Sequence, residues 1–147
     1  LKRIPLDEAL RRQGARVRVV RAGRNVGRQQ LRGEMARAQL GITGVDYAVA
    51  ETGTCVLLPR QGVSRAVSLL PPIHVAIVDA NQVYESLDDL FAIRRLAFQD
   101  GRGEMGSYMS FISGPSRTAD IEQTIVVGVH GPREAHLVLL DSAETEK

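Results

Sequence analysis

The sequence Leu-Pro-Pro-Ile-His-Val-Ala-Ile-Val-Asp, residues 70–79, decides the fold class. Residues 73–78 form an almost uninterrupted apolar run, which is the pattern of a central strand buried on both faces. The Pro-Pro pair before it ends a helix predicted over residues 63–70, because proline cannot continue a helix. Beyond the strand, apolar residues recur at helical spacing over residues 82–97, so we expect a helix there.

The same alternation of strands and helices extends in both directions from this segment. Further strands are predicted at residues 16–21, 47–50, 54–58, 108–113 and 135–140, and further helices at residues 6–13, 31–40 and 120–129. Residues 124–127 are β-branched, so a strand is the alternative there. The pattern predicts one α/β domain of 147 residues, with a mostly parallel sheet flanked by helices.

Charge is distributed unevenly along the chain. Residues 1–40 carry eleven Lys or Arg against three Asp or Glu, whereas residues 41–147 carry eight against fourteen. A basic segment can bind nucleic acid, an acidic partner or an anionic ligand. Residues 1–40 contain no aromatic side chain on which single-stranded nucleic acid could stack. We therefore favour a solvated, Arg-rich surface, and nucleic-acid binding is the weakest hypothesis.

Composition excludes several classes of protein. The single cysteine, Cys55, allows neither an internal disulfide nor a cysteine-held iron–sulfur cluster in this chain, and we expect it to be buried. No window is long and apolar enough to span a membrane, and no apolar secretory segment follows Leu1, so we expect a cytoplasmic protein. The three histidines lack metal-ligand spacing, so no metal site is expected. We expect His74 to be buried and His130 to be exposed.

Polar residues able to do chemistry are concentrated between two Gly-Pro turns, in the segment 113–133. Open α/β sheets bind ligands beyond the carboxyl ends of their strands, and we place three loops there, at residues 51–54, 114–120 and 130–133. A helix that begins near Asp120 would offer free N–H groups which, with Arg117, form an anion site. Helix capping by Ser, Thr and Asp side chains explains the same residues equally well.

Two residues are candidate catalytic groups. Glu51, in a turn at a strand end, would act as nucleophile or general base, although a solvent-facing turn residue is the simpler interpretation. His130, next to glycine, is the second candidate. The candidate substrate- or anion-binding residues are Thr52, Gly53, Thr54, Gly114, Ser116, Arg117, Thr118, Asp120, Gly131 and Arg133.

Four blocks of sequence, taken in order, resemble a known family. They are G-I-T-G-V-D-Y-A-V-A-E-T-G-T (41–54), L-L-P-P-I-H-V-A-I-V (69–78), S-G-P-S-R-T-A-D-I-E (113–122) and G-V-H-G-P-R (128–133). The family is the LUD domain, to which lactate-utilisation protein C belongs. The resemblance covers about residues 41–140 and leaves the basic residues 1–40 outside. Family members are usually longer, which fits segments missing near residues 23–33 and 99–106.

The resemblance implies a fold similar to that of glucosamine-phosphate isomerase, ribose-phosphate isomerase and family I CoA transferases. It implies an accessory protein or subunit in the oxidation of L-lactate to pyruvate, with iron–sulfur partner proteins that hold the clusters, so this chain would bind no cofactor itself. Arg117 and Arg133 would pair with a small carboxylate. Family I CoA transferases use a glutamate near a glycine turn, so an enzyme acting on an acyl-CoA or a sugar phosphate through Glu51 is the alternative. Whether the chain is an enzyme stays open.

Overall fold

Strands and helices alternate through the computed structural model, which describes residues 5–19, 28–58, 63–101, 108–119 and 125–141. The α-helices are α1 (Leu6–Arg12), α2 (Arg28–Arg37), α3 (Val63–Leu69) and α4 (Leu87–Gln99), with one 3-10 turn at Ala80–Gln82. The strands are β1 (Leu40–Gly44), β2 (Tyr47–Val49), β3 (Thr54–Leu57), β4 (Ile73–Asp79), β5 (Val83–Tyr84), β6 (Ser110–Ile112), β7 (Arg117–Ala119), β8 (Ile125–Val127) and β9 (Glu134–Leu140). The predicted α/β class is confirmed. None of the described helices is long and apolar enough to cross a membrane.

The segment 70–79 forms the centre of a parallel sheet, as predicted. Strand β4 pairs in parallel with β1 on one side and with β9 on the other. Its residues His74, Ala76 and Val78 are buried, whereas the opposite face of the strand is only partly buried. The prediction that β4 is buried on both faces therefore holds for one face, and the other face is only partly buried.

The remaining strands do not extend this sheet. Strands β5, β2, β3 and β6, in that order, form a second sheet in which only β2 and β5 are parallel, and β7 and β8 form a separate hairpin. The predicted mostly parallel arrangement thus describes the first sheet only. An apolar cluster joins the two sheets and consists of Val45, Ala48, Cys55, Leu57, Ala76 and Val78. Cys55 is buried, as expected, and burial raises the pKa of its thiol.

Helix α4 packs against the second sheet. Leu90 is fully buried against Val49 and Val56. The helix begins at Leu87 because Ser86 caps it, with the Ser86 side chain accepting from the Asp89 N–H. The prediction that the helix starts at residue 82 was wrong, because residues 83–84 pair with β2 as strand β5.

Two predictions near the start of the chain were also wrong. Residues 15–19 form no strand, although Val17 and Val19 alternate with arginines. Alternation indicates a strand only where one face becomes buried, and here the Arg18 side chain instead reaches Glu34 of α2 at 3.0 Å. Residues 40–44 form strand β1, so the helix predicted over residues 31–40 ends earlier, at Arg37.

Candidate functional site

Three hydroxyl side chains form a hydrogen-bonded row at one edge of the second sheet. Thr52 Oγ1 donates to Thr54 Oγ1 at 2.7 Å, and Thr54 Oγ1 lies 2.7 Å from Ser113 Oγ. Strands β2 and β6 both pair antiparallel with β3, so they run in the same direction and end at the same edge. Thr52 lies in the turn after β2, and Ser113 follows β6 directly. We call these three residues the hydroxyl row.

The turn at residues 50–53 has the tight form that the sequence predicts. The Gly53 N–H donates to the Ala50 carbonyl at 3.3 Å, and Gly53 has a φ of +61°, which favours glycine. Strands β2 and β3 pair antiparallel on either side of it. The two predicted strands therefore form a hairpin, and Glu51 lies in a turn at a strand end, as predicted.

Glu51 fastens this turn to helix α4. Its Oε1 accepts a hydrogen bond of 2.8 Å from the Leu87 N–H, at the first residue of the helix, and its own N–H donates to the Glu85 carbonyl at 3.0 Å. A carboxylate at a helix start satisfies an N–H that has no partner within the helix and interacts favourably with the helix dipole. The Glu51 carboxylate, although exposed, therefore holds the turn against α4.

An open cleft of about 400 Å³ lies beside the hydroxyl row. The hydroxyl row forms its polar side, and Leu87, Phe91 and Phe111 form its apolar side. The rings of Phe91 and Phe111 are 6.3 Å apart between centroids, and both side chains are about half exposed. A mainly apolar cleft with a few polar groups at one side is typical of small-molecule sites. None of these three apolar residues was among the candidates predicted from the sequence.

The two Gly-Pro turns contact each other directly. The Ser116 N–H donates to the Pro132 carbonyl at 2.9 Å, and the Gly128 N–H donates to the Ser116 carbonyl at 2.9 Å. The His130 N–H donates to Ser116 Oγ at 3.3 Å. Gly131 packs so closely that an added Cβ would lie 3.2 Å from the Ser116 Cβ. The structure therefore brings three of the candidate residues together, Ser116, His130 and Gly131.

Two arginines flank these turns. Arg117 pairs with Val127 across the β7–β8 hairpin, and the Arg133 side chain lies against Gly128, the next residue after Val127. Both arginines are exposed. Arg117 and Arg133 thus approach the same end of the hairpin, where guanidinium groups could bind an anion. We call Ser116, Arg117, His130, Gly131 and Arg133 the Gly-Pro cluster.

The helix predicted over residues 120–129 is wrong for its described part, residues 125–129. Arg117 and Thr118 lie in strand β7 and pair with β8, so no helix begins in the described part of this loop. The β-branched run at residues 125–127 forms a strand, which was the stated alternative. Asp120 lies outside the described residues. The predicted start of the helix lies outside them too, so the anion site at that start stays a prediction.

One of the three loops lies at a different edge from the one predicted. The loop at residues 130–133 precedes β9, and the Arg133 N–H donates to the Pro72 carbonyl at 2.7 Å, directly before β4. The loop therefore lies at the amino ends of β4 and β9, because parallel strands start at the same edge. The loops that follow β2 and β6 do lie at carboxyl ends, as predicted.

The candidate residues thus form two neighbouring groups instead of one pocket. Glu51 and the hydroxyl row adjoin the cleft, whereas the Gly-Pro cluster does not line it. The groups are linked through Gly114, because Ser113 and Ser116 are three residues apart and so at most about 11 Å. Gly114 has a φ of +136°, a conformation that other residues rarely adopt.

The three histidines lie in different surroundings. His74 is 1% exposed, its Nε2 lies 2.9 Å from Thr43 Oγ1, and burial lowers its pKa. His136 is exposed on β9, 3.2 Å from Glu134 Oε2, and His130 is exposed as expected. Within the ranges that the structure describes, no three His, Cys, Asp or Glu side chains are grouped to hold a metal ion.

These features define an α/β protein with a cleft at strand ends and a second polar cluster beside it. The chain belongs to the LUD domain family, whose model matches residues 1–140 and so includes the N-terminal part that the sequence motifs left out. It is similar to lactate utilization protein C of Halalkalibacterium halodurans, with 42% identity over 106 residues, 71% of this chain and 45% of that protein. The corresponding protein of Shouchella clausii is 41% identical over 104 residues, 71% of this chain and 44% of that protein.

A solved structure supports the fold assignment. A DUF162 family protein from Deinococcus radiodurans superposes with a TM-score of 0.51 at 24% sequence identity, over 91% of this chain and 79% of that chain. This likeness shows the fold alone. The chain spans less than half the length of the curated relatives described above.

Proposed function

We propose that this chain acts in lactate utilisation, as a component that binds a small carboxylate and works with iron–sulfur partner proteins. The observation that carries the proposal is the 42% identity over 106 residues to a protein named lactate utilization protein C. The family match over residues 1–140 spans both groups of candidate site residues, which supports carrying the role across.

The Gly-Pro cluster is the proposed carboxylate site. L-lactate and pyruvate each carry one carboxylate, and arginine binds carboxylates through two parallel N–H···O hydrogen bonds. Arg117 and Arg133 are exposed at the same end of a hairpin, and Ser116 holds the adjoining turn. His130, exposed next to them, is the proposed proton acceptor if the bound acid reacts here.

The partner part of the proposal follows from electron balance. Oxidation of lactate to pyruvate removes two electrons and two protons, and the one thiol in this chain is buried. Cysteine-held clusters require several accessible thiolates, so the electrons would pass to clusters in partner proteins. This chain would then hold the acid and bind no cofactor of its own.

Calorimetry with L-lactate and pyruvate tests the ligand part. We expect Arg117→Ala and Arg133→Ala each to weaken binding by roughly tenfold, the loss of one charge-assisted hydrogen-bonded pair. Arg12→Ala, an exposed arginine of α1, is the matched control and should bind as the unmodified chain does. Absence of both binding heat and thermal shift with either acid would refute the ligand part.

Co-expression with the iron–sulfur proteins encoded beside a family member tests the partner part. We expect the three proteins to purify together through a tag on this chain. Recovery of this chain alone, with the iron–sulfur proteins folded and present in the lysate, would refute it. The two experiments are independent, so either part can fail without the other.

The second candidate function is an acyl-CoA or sugar-phosphate enzyme that uses Glu51. The observation in its favour is that Glu51 is bonded to Leu87, which lines the cleft, while Thr52 of the same turn belongs to the hydroxyl row. Glu51→Gln keeps an oxygen that accepts from the Leu87 N–H but removes the nucleophilic carboxylate. Turnover of acetyl-CoA or ribose 5-phosphate that survives this substitution would exclude the mechanism.

A further inference from the structure

The outer surface of α4 carries three exposed large apolar side chains. Leu90 and Arg94 are buried against the sheet, yet Phe91, Leu96 and Phe98 are exposed at 45%, 58% and 55%. Exposed apolar side chains that cluster on one element mark interaction surfaces. This surface is not explained by either proposed function, because only Phe91 adjoins the cleft.

The charges on the same surface are spaced symmetrically about Phe91 and Ala92. Asp88 precedes the Phe91–Ala92 midpoint by the same number of residues as Arg95 follows it, and all four side chains are exposed. Asp88 and Arg95 are seven residues apart, about 10.5 Å along the axis and nearly two turns, so they share a face but cannot pair with each other. Within the described part of the chain neither forms an ion pair.

We propose that α4 is the interface of a two-fold symmetric dimer, in which a second copy of this chain packs its own α4 antiparallel against the first. With the axis at the Phe91–Ala92 midpoint, Asp88 of each copy lies at the same axial level as Arg95 of the other. Phe91 lies level with the small Ala92 of the second copy, which allows close approach of the two helices. A two-fold interface requires such self-complementary pairs, because each contact between two residues occurs twice, once on either side of the axis.

The second copy is favoured over other occupants by this charge pattern. A surface that binds a second copy of itself must carry complementary charges at positions related by the two-fold axis, and Asp88 and Arg95 meet this requirement. The helix has 13 residues and is about 20 Å long, so α4 alone buries less than a standard interface of about 1,600 Å². The dimer is therefore a concentration-dependent one. The inference goes beyond the proposed function, since it holds whatever acid the chain binds.

Sedimentation equilibrium of the full chain over a range of concentrations tests the proposal. We expect the average mass to rise toward twice the monomer mass, and Asp88→Arg or Arg95→Asp to weaken dimerisation by tenfold or more, because each creates two like-charge contacts. Glu134→Arg, the same charge change on β9, is the control and should leave the dimer intact.

Mixing the two single variants gives the decisive result. A mixed dimer of Asp88→Arg with Arg95→Asp restores both opposite-charge pairs, so we expect dimers in the mixture although each variant alone is monomeric. Three outcomes would overturn the proposal. They are an unmodified chain that is monomeric at every concentration, a dimer indifferent to both substitutions, and a mixture that stays monomeric.

Discussion

Acidification should destabilise this fold through one buried histidine, His74. The side chain is 1% exposed on the central strand β4, and burial lowers its pKa below the usual value of 6.5 because the imidazolium would lose its hydration. Between the two pKa values the unfolded chain binds more protons than the folded chain, so stability falls as the pH falls. The contribution is complete above pH 6.5 and decreases below it.

The size of the effect follows from proton linkage. The loss can reach at most about 1.4 kcal/mol of unfolding free energy per pH unit, and it accrues only between the pKa of His74 in the unfolded chain and its lowered pKa in the folded chain. Urea unfolding followed by circular dichroism at pH 7.5, 6.5 and 5.5 measures this loss of stability. The comparison requires that the free energy of unfolding falls with urea concentration at the same slope at each pH. His74→Leu should remove this pH dependence, whereas His136→Gln, on the exposed surface of β9, should retain it.

Thr43 provides a second test of the same reasoning. Its Oγ1 is the hydrogen-bond partner of His74 Nε2 at 2.9 Å, and both side chains are buried. Thr43→Val keeps the shape and leaves a buried ring nitrogen without that partner, which costs about 1–3 kcal/mol at neutral pH. The reasoning fails if His74→Leu unfolds with the same pH dependence as the unmodified chain, or if Thr43→Val is as stable as that chain.

Three further substitutions test the packing around the site by urea unfolding. Gly41→Ala should cost about 1–3 kcal/mol, because the added Cβ would clash with the Val67 carbonyl. If the variant is as stable as the unmodified chain, helix α3 shifts away from β1 without loss of stability. Ser86→Ala should cost about 1 kcal/mol, because helix α4 loses its N-cap. If stability is unchanged, the hydrogen bond from the Leu87 N–H to Glu51 is enough to hold the start of the helix. Gly114→Ala should cost about 1–3 kcal/mol, because Gly114 has a φ of +136°. It should also weaken carboxylate binding, because Gly114 links the hydroxyl row to the Gly-Pro cluster. Unchanged binding would show that the Gly-Pro cluster does not depend on this link.

The parts of the fold that the sequence predicted depend on neighbouring residues. Strand β4 follows from an apolar run bounded by prolines, and the β2–β3 hairpin follows from two short strands on either side of Glu51-Thr52-Gly53. Both signals lie within about ten residues, so no distant contact is needed to interpret them. The same locality explains why Glu51, Thr52 and Thr54 were assigned to one strand-end turn.

The parts that failed depend on distant pairing. Residues 125–127 satisfy both a helical and a strand pattern, and the pairing with Arg117–Ala119 decides between them. Likewise, residues 83–84 fit the start of a helix until β2 pairs with them. The division into two sheets depends on which strands meet, and no local spacing encodes that.

The apolar side of the cleft was missed for a related reason. Leu87 and Phe91 are four residues apart on α4, and Phe111 alternates with Ser113 on the strand side. These spacings predict a helix and a strand, but they do not predict a cleft, because core and cleft residues obey the same periodicity. Only the exposure of Phe91 and Phe111 distinguishes the two cases, and exposure depends on what the rest of the chain covers.

The start of α4 is where the separate hypotheses about this chain meet. Glu51 holds the hydroxyl-row turn against Leu87, Leu87 and Phe91 line the cleft, and Phe91 also lies at the centre of the proposed dimer. A substitution of Glu51 that also removes the hydrogen bond to α4 would thus alter the cleft and the dimer surface together. Loss of activity in Glu51→Ala therefore says nothing about nucleophilic chemistry by itself. Loss in Glu51→Gln, with unchanged stability and an intact dimer, would identify the carboxylate as the reacting group.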